Sequence, residues 1–159
     1  MKTRTPNNTI TAPKGFLAAG LYCGIKKSGK FDLGLIVCPT RAKAAAVFTT
    51  NKIVSAAVTV CRKHVKSPGI SAVIVNSGNA NACTGQLGLD NAIRMCAATA
   101  SLVARQGTKP ENYEPRNVLI ASTGIIGQQL PIQKIIVGLS RAPAKLSAET
   151  AQQVRTAAE

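Results

Sequence analysis

The chain has 159 residues, 45% of them apolar, which is enough for one domain with a real core. No apolar run approaches the roughly 20 residues that a membrane helix needs. Its net charge of +14 would suit a polyanion, but 3 Phe, 2 Tyr and no Trp leave little to stack on bases, and no nucleic-acid-binding signature accompanies the charge.

The opening, MKTRTPNNTI, is basic but lacks the apolar stretch of a secretory signal. Residues 1–66 hold 12 basic side chains against one acid, Asp32. Nucleic acid, an acidic partner chain and a merely solvated face are all compatible with that asymmetry. The sequence GIKKSGK (24–30) has the tip and flanking lysines of an exposed hairpin turn. The runs FDLGLIVC (31–38), AAAVFTT (44–50) and SAAVTVCRKHV (55–65) predict strands, separated by Pro39, Asn51-Lys52 and Ser67-Pro68-Gly69.

Next, SAVIV (71–75) predicts a buried strand that empties into a loop of small polar residues, NSGNANACTG. A helix follows, with Leu89, Ile93, Cys96, Ala100 and Val103 on one stripe, Asp90 near its start and Gly107 placed to end it. The pattern then recurs: strand NVLIA (117–121), loop STGIIG (122–127) and helix LPIQKIIVGL (130–139), with Pro131 in the first turn. Ser147 caps a third predicted helix, with Ala148, Ala151, Val154 and Ala158 inward. It breaks off at Glu159 without a cap, which reads as a polypeptide that continues. Together these elements predict an α/β protein, helices layered on a mixed sheet.

Few residues offer a nucleophile. Cys61 and His64 stand three apart, and on an extended strand such positions face opposite ways. Cys83 lies in a loop but has no readable base, and Asp32 and Asp90 lack a partner carboxylate. Five cysteines at irregular spacing with a single histidine give no paired metal ligands; they read as reduced thiols of a cytoplasmic protein.

The loops carry a different chemistry. Asn76, Asn79 and Asn81 bring amides, while Gly78, Gly85 and Gly124 allow close backbone approach. Thr123-Gly124 can aim a hydroxyl and a backbone N–H at one oxygen, as oxyanion stabilisation requires. Ordinary turns use the same residues, so spacing leaves a turn and an oxyanion hole as alternatives. Neither loop has the spacing of a phosphate-binding P-loop.

Four segments decide further: TAPKGFLAAGLYCGIKKSGKFDLGLIVC (11–38), AAAVFTTN (44–51), VIVNSGNANACTGQLGLDNAIRMC (73–96) and VLIASTGIIGQQLPIQKIIVGL (118–139). In this order they resemble the ornithine acetyltransferase family, the glutamate N-acetyltransferases of arginine biosynthesis. The resemblance implies a precursor that cuts itself into α and β chains, freeing a threonine on β as the nucleophile. That threonine takes acetyl from N-acetylornithine and passes it to glutamate in a ping-pong cycle, without a bound cofactor; some members also use acetyl-CoA. It implies an α2β2 assembly and an oxyanion hole at Thr123 and Gly124. Residues 1–159 then match most of an α chain as a single domain, with the cleavage segment and the β chain lying beyond them. An expectation follows for the first loop: Asn76, Asn79 and Asn81 help wall the acyl-transfer site.

Overall fold

Side-chain alternation organises one four-stranded sheet in the computed structural model, which describes residues 9–105 and 113–146. The strands are β1 (Leu17–Leu21), β2 (Leu33–Ala42), β3 (Ile70–Asn79) and β4 (Val118–Ile125), in the spatial order β1-β2-β3-β4. The first three are antiparallel neighbours, while β4 runs parallel to β3, so the sheet is mixed as the sequence predicts. Leu35 pairs across to Ile74, and Ile74 to Ile120; Val37, Ala72 and Val118 form the next row. All six are buried on the face that carries the helices. The opposite face, with Ile36, Val73 and Leu119, is half-buried and is reached among the described residues by Phe16 and Ala44 around a hollow of about 170 Å³.

Among the described residues three α-helices form the second layer: α1 (Ala56–His64), α2 (Gly85–Ala104) and α3 (Ile132–Ser140), the last starting just after Pro131 rather than including it. The 24–30 turn does connect two antiparallel strands, but only residues 27–30 are exposed, with 24–26 half-buried. Pro39 does not end β2, because the sheet register shifts between Val37 and Ala42 and a proline is tolerated at such an irregularity.

Two strand predictions fail. Residues 43–54 form neither strand nor helix, and Val47 is 99% exposed. β-Branched residues supply propensity, but a strand exists only when another backbone pairs with it. Residues 55–65 form α1 instead. Ser55 caps it by accepting from the Val58 N–H, and Arg62, Lys63 and His64 sit at the negative end of the helix dipole. Ala57 and Val60 turn inward together, a helical spacing hidden under a β-branched composition.

The helix also reverses the expected geometry of Cys61 and His64, which share one face and meet the free edge of β4. The Cys61 thiol accepts from the Ile120 N–H at 3.2 Å and donates to the Ile120 carbonyl at 3.1 Å. His64 Nδ1 lies 2.8 Å from the Val118 carbonyl, which marks Nδ1 as the donor. Both side chains seal backbone groups that an edge strand would otherwise offer to another chain.

In α2 the buried stripe differs from the predicted one. Ile93 is exposed, and Gly88, Ala92, Met95 and Thr99 join Cys96, Ala100 and Val103 inside. Close packing selects the small residues: a side chain at Gly88 would run into Thr84 and Asn81. Gly107 and the helix predicted from Ser147 lie outside the described residues.

Replacing Cys61 by Ala strands both Ile120 groups at the sheet edge. Stability should fall by about 1–3 kcal/mol, read from the urea midpoint.

Candidate functional site

Parallel pairing brings both predicted loops to the same end of the sheet. It also extends the strands into them, so Asn76–Asn79 and Ser122–Ile125 are ladder residues. Ser77 pairs with Thr123, Gly78 with Gly124 and Asn79 with Ile125. Gly78 and Gly124 both have positive φ, 101° and 128°. A Cβ on Gly124 would lie 2.5 Å from Asn79 N and 2.7 Å from Gly78 Cα. Only glycine permits this approach. Thr123 beside it is exposed, and its hydroxyl has no hydrogen-bond partner among the described residues.

The three asparagines lie next to this pair, but their amides turn inward. Asn76 accepts from the Ser122 hydroxyl at 2.7 Å and donates to the Asn79 carbonyl at 2.8 Å. Asn79 donates to the Gln128 and Gln129 carbonyls and accepts from the Asn81 N–H. Asn81 donates to the Gly88 carbonyl and accepts from Thr84 Oγ1. Each is at most 4% exposed. They tie β3, β4, the 126–130 segment and the start of α2 into one body, and Asn79 also lines a cavity beside Gly124.

Asp32 is the residue that sequence reasoning passed over. It is fully buried, and its carboxylate accepts from the N–H groups of Cys23 at 2.7 Å, Ile25 at 2.6 Å and Lys26 at 3.0 Å. Its own carbonyl accepts from the Ser77 N–H, one step from Gly78. The only acid in a basic stretch of 66 residues, set just before a strand, was the available signal. From α3, Lys134 donates to the Gly24 carbonyl, and from the residue after it Arg141 donates to the Tyr22 carbonyl. Fixed from both sides, residues 22–26 lay Ile25 and the Lys26 stem over Gly78.

The result is a cavity of about 750 Å³ between the 25–28 segment and the strand ends, lined by Gly78, Asn79, Gly124 and Ile125 on one side. Such a volume suits a small-molecule site. The cysteines stand apart from it. Burial raises the Cys61 thiol, and burial pushes Cys23 and Cys96 up to about 12, with Asp32 adding to the effect at Cys23 and Cys61 at Cys96. No cluster of metal-ligating groups occurs among the described residues.

Known proteins share this fold. The ArgJ family model matches residues 17–159. The arginine biosynthesis bifunctional protein ArgJ of Dehalococcoides mccartyi is 43% identical over 143 residues, covering 86% of this chain and 33% of the relative. The Bacillus cereus protein of that name is 48% identical over 138 residues, covering 86% and 32%. The chain thus spans about a third of the length of the curated relatives it matches. Among solved structures, ornithine acetyltransferase from Mycobacterium tuberculosis, complexed with ornithine, is 35% identical with a TM-score of 0.87, covering 94% of this chain and 78% of that one. The Bacillus halodurans ArgJ structure is 35% identical with a TM-score of 0.82, covering 98% and 77%.

Two outcomes are expected. Asp32→Asn puts an amide donor against three N–H donors and should cost about 2–3 kcal/mol, measured by chemical denaturation. In thiol alkylation at pH 8 followed by mass spectrometry, exposed Cys83 should be labelled while Cys23 and Cys96 stay protected until the chain unfolds. Because both pKa values rise on folding, these thiols keep their full contribution below about 9 and lose it as the pH climbs toward 12.

Proposed function

The chain belongs to the ArgJ family, and we propose that residues 1–159 form one domain, the α-chain portion of a glutamate N-acetyltransferase of arginine biosynthesis. Acetyl passes from N-acetylornithine to a threonine on the β chain of the same precursor, and then to glutamate; acetyl-CoA serves as an alternative donor. No cofactor takes part. Processed chains assemble as α2β2 in the cytoplasm.

One observation carries the reading: an unclaimed hydroxyl at Thr123, next to a glycine that is held at positive φ and lines a cavity at the end of two parallel strands. In each half-reaction a nucleophile adds to the acetyl carbonyl carbon, and the oxygen gains negative charge. Thr123 Oγ1 and the Gly124 N–H hold that charge, each donor being worth about 3 kcal/mol of barrier. Collapse in the first half-reaction breaks the C–N bond, and the amine leaves with the proton lost by the threonine hydroxyl. Glutamate's amine then attacks the resulting ester, the C–O bond to threonine breaks, and the proton lost by the attacking amine passes to the threonine oxygen.

The nucleophile must come from elsewhere on this reading, because Cys61 and His64 are committed to the β4 edge. A partner chain is supported by the half-buried open face of the sheet and by exposed Val47, Ile125 and Ile126. Inward-turned, the asparagines wall the site by holding its backbone, and Asn79 also lines the cavity itself.

The test uses the complete precursor. Thr123→Ala should lower kcat for acetyl transfer from N-acetylornithine to glutamate by about a hundredfold or more, while Thr123→Ser keeps most of it. An unaltered rate in the alanine variant would remove Thr123 from this role. The chain without the remaining two thirds of its relatives' length should show no transfer.

A further inference from the structure

We propose that Ser122 is a positioning residue: its hydrogen bond to Asn76 sets where the Thr123 hydroxyl and the Gly124 N–H stand. This rests on the acetyltransferase reading above and names the side chain that aims its oxyanion donors.

Alternation along β4 places Ser122 and Thr123 on opposite faces of the sheet. Val118 and Ile120 point into the helix-side core, and Ser122 follows them. Leu119 belongs to the open face, and Thr123 follows it. Any rotation of the strand that moves one of the pair therefore moves the other.

A core row is given over to the serine's bond. Leu35, Ile74 and Ile120 form one row across three strands, and Leu33, Asn76 and Ser122 form a row nearer the C-terminal ends of β3 and β4. Apolar residues at the last two positions would continue the packing, but without direction. Two polar side chains must instead satisfy each other, because Asn76 is fully buried. Asn76 Nδ2 donates to the Asn79 carbonyl at 2.8 Å, which turns Oδ1 toward β4. Ser122 Oγ donates to that oxygen at 2.7 Å. One amide thus spans the Gly78–Gly124 contact, holding β3 beyond the first glycine and β4 before the second.

No neighbouring strand shares the task. β4 is the last strand of the sheet, and Cys61 and His64 cover its outer edge as far as Ile120. Among the described residues, the bond to Asn76 is the one side-chain hydrogen bond that residues 121–125 make. Without it the Thr123 segment hangs on backbone bonds, and a buried amide oxygen loses its donor. Donors to a reacting oxygen work only when held in place, and a displacement of about 1 Å costs up to about a hundredfold in rate.

The experiment uses the complete processed enzyme, with N-acetylornithine as donor and glutamate as acceptor. Ser122→Ala should lower kcat by about tenfold while KM for both substrates stays within about twofold. Ser122→Thr keeps the hydroxyl and should retain most of the rate. The decisive comparison repeats Ser122→Ala in a Thr123→Ala background. A serine that acts by aiming Thr123 has little left to aim there, so the further loss should be about threefold or less. Processing into two chains and an undisturbed Tm establish that the variant is folded. Should the alanine variant not mature, Ser122→Cys, of like size but a weaker donor, carries the same comparison. An unchanged kcat, a loss confined to KM, or an equal loss in both backgrounds would overturn the positioning role and leave the acetyltransferase reading standing. A parent enzyme that moves no acetyl from N-acetylornithine would overturn both.

Discussion

Everything at the candidate site depends on how closely β3 and β4 approach at their C-terminal ends. Parallel pairing carries both strands in the same direction, so their two small-residue segments finish side by side. At Gly78 and Gly124 the backbones come nearer than any Cβ allows, and both residues take positive φ. A methyl group at Gly124 would push the strand ends apart and move Thr123 with them. The asparagine network holds this contact from below, replacing water with amide bonds in a place closed to solvent.

The second wall comes from a different part of the chain and is held by one carboxylate. Asp32 gathers three N–H groups from a turn that would otherwise be a mobile hairpin tip among lysines. Through its carbonyl it also reaches Ser77, so the same residue joins the turn to the strand beside Thr123. This gives the basic first half of the chain a local meaning. The charge at Lys26 and Lys27 faces a cavity, whereas Arg62 donates to the Thr49 carbonyl and lies over the Phe48 ring. Net charge alone could not separate those roles.

Cysteine and histidine, side chains that often act as nucleophile and base, serve structure here. On α1 they close the exposed edge of β4, at the same strand that carries Thr123. Under the proposed role of Thr123 as an oxyanion donor, this edge is not open to cover by another strand along its whole length. Side chains from a helix cover the first half and leave the end open.

The sequence by itself determined the mixed α/β class, the repeat of strand, small-residue segment and helix, and the Thr123-Gly124 pair. These are legible because hydrophobic period and glycine placement are local properties. It did not determine α1, because β-branched residues at 55–65 fit either period until a neighbouring edge gives Cys61 and His64 their partners. It put Ile93 inside α2, where packing wanted the smaller Gly88 and Ala92. Only the tertiary structure decided that the asparagine amides turn inward, that Asp32 anchors the second wall, and that Lys26 stands across from Gly124. Each of those facts depends on which distant backbone groups meet, and a hydrogen bond across 46 residues, such as Ser122 to Asn76, leaves no mark on local pattern.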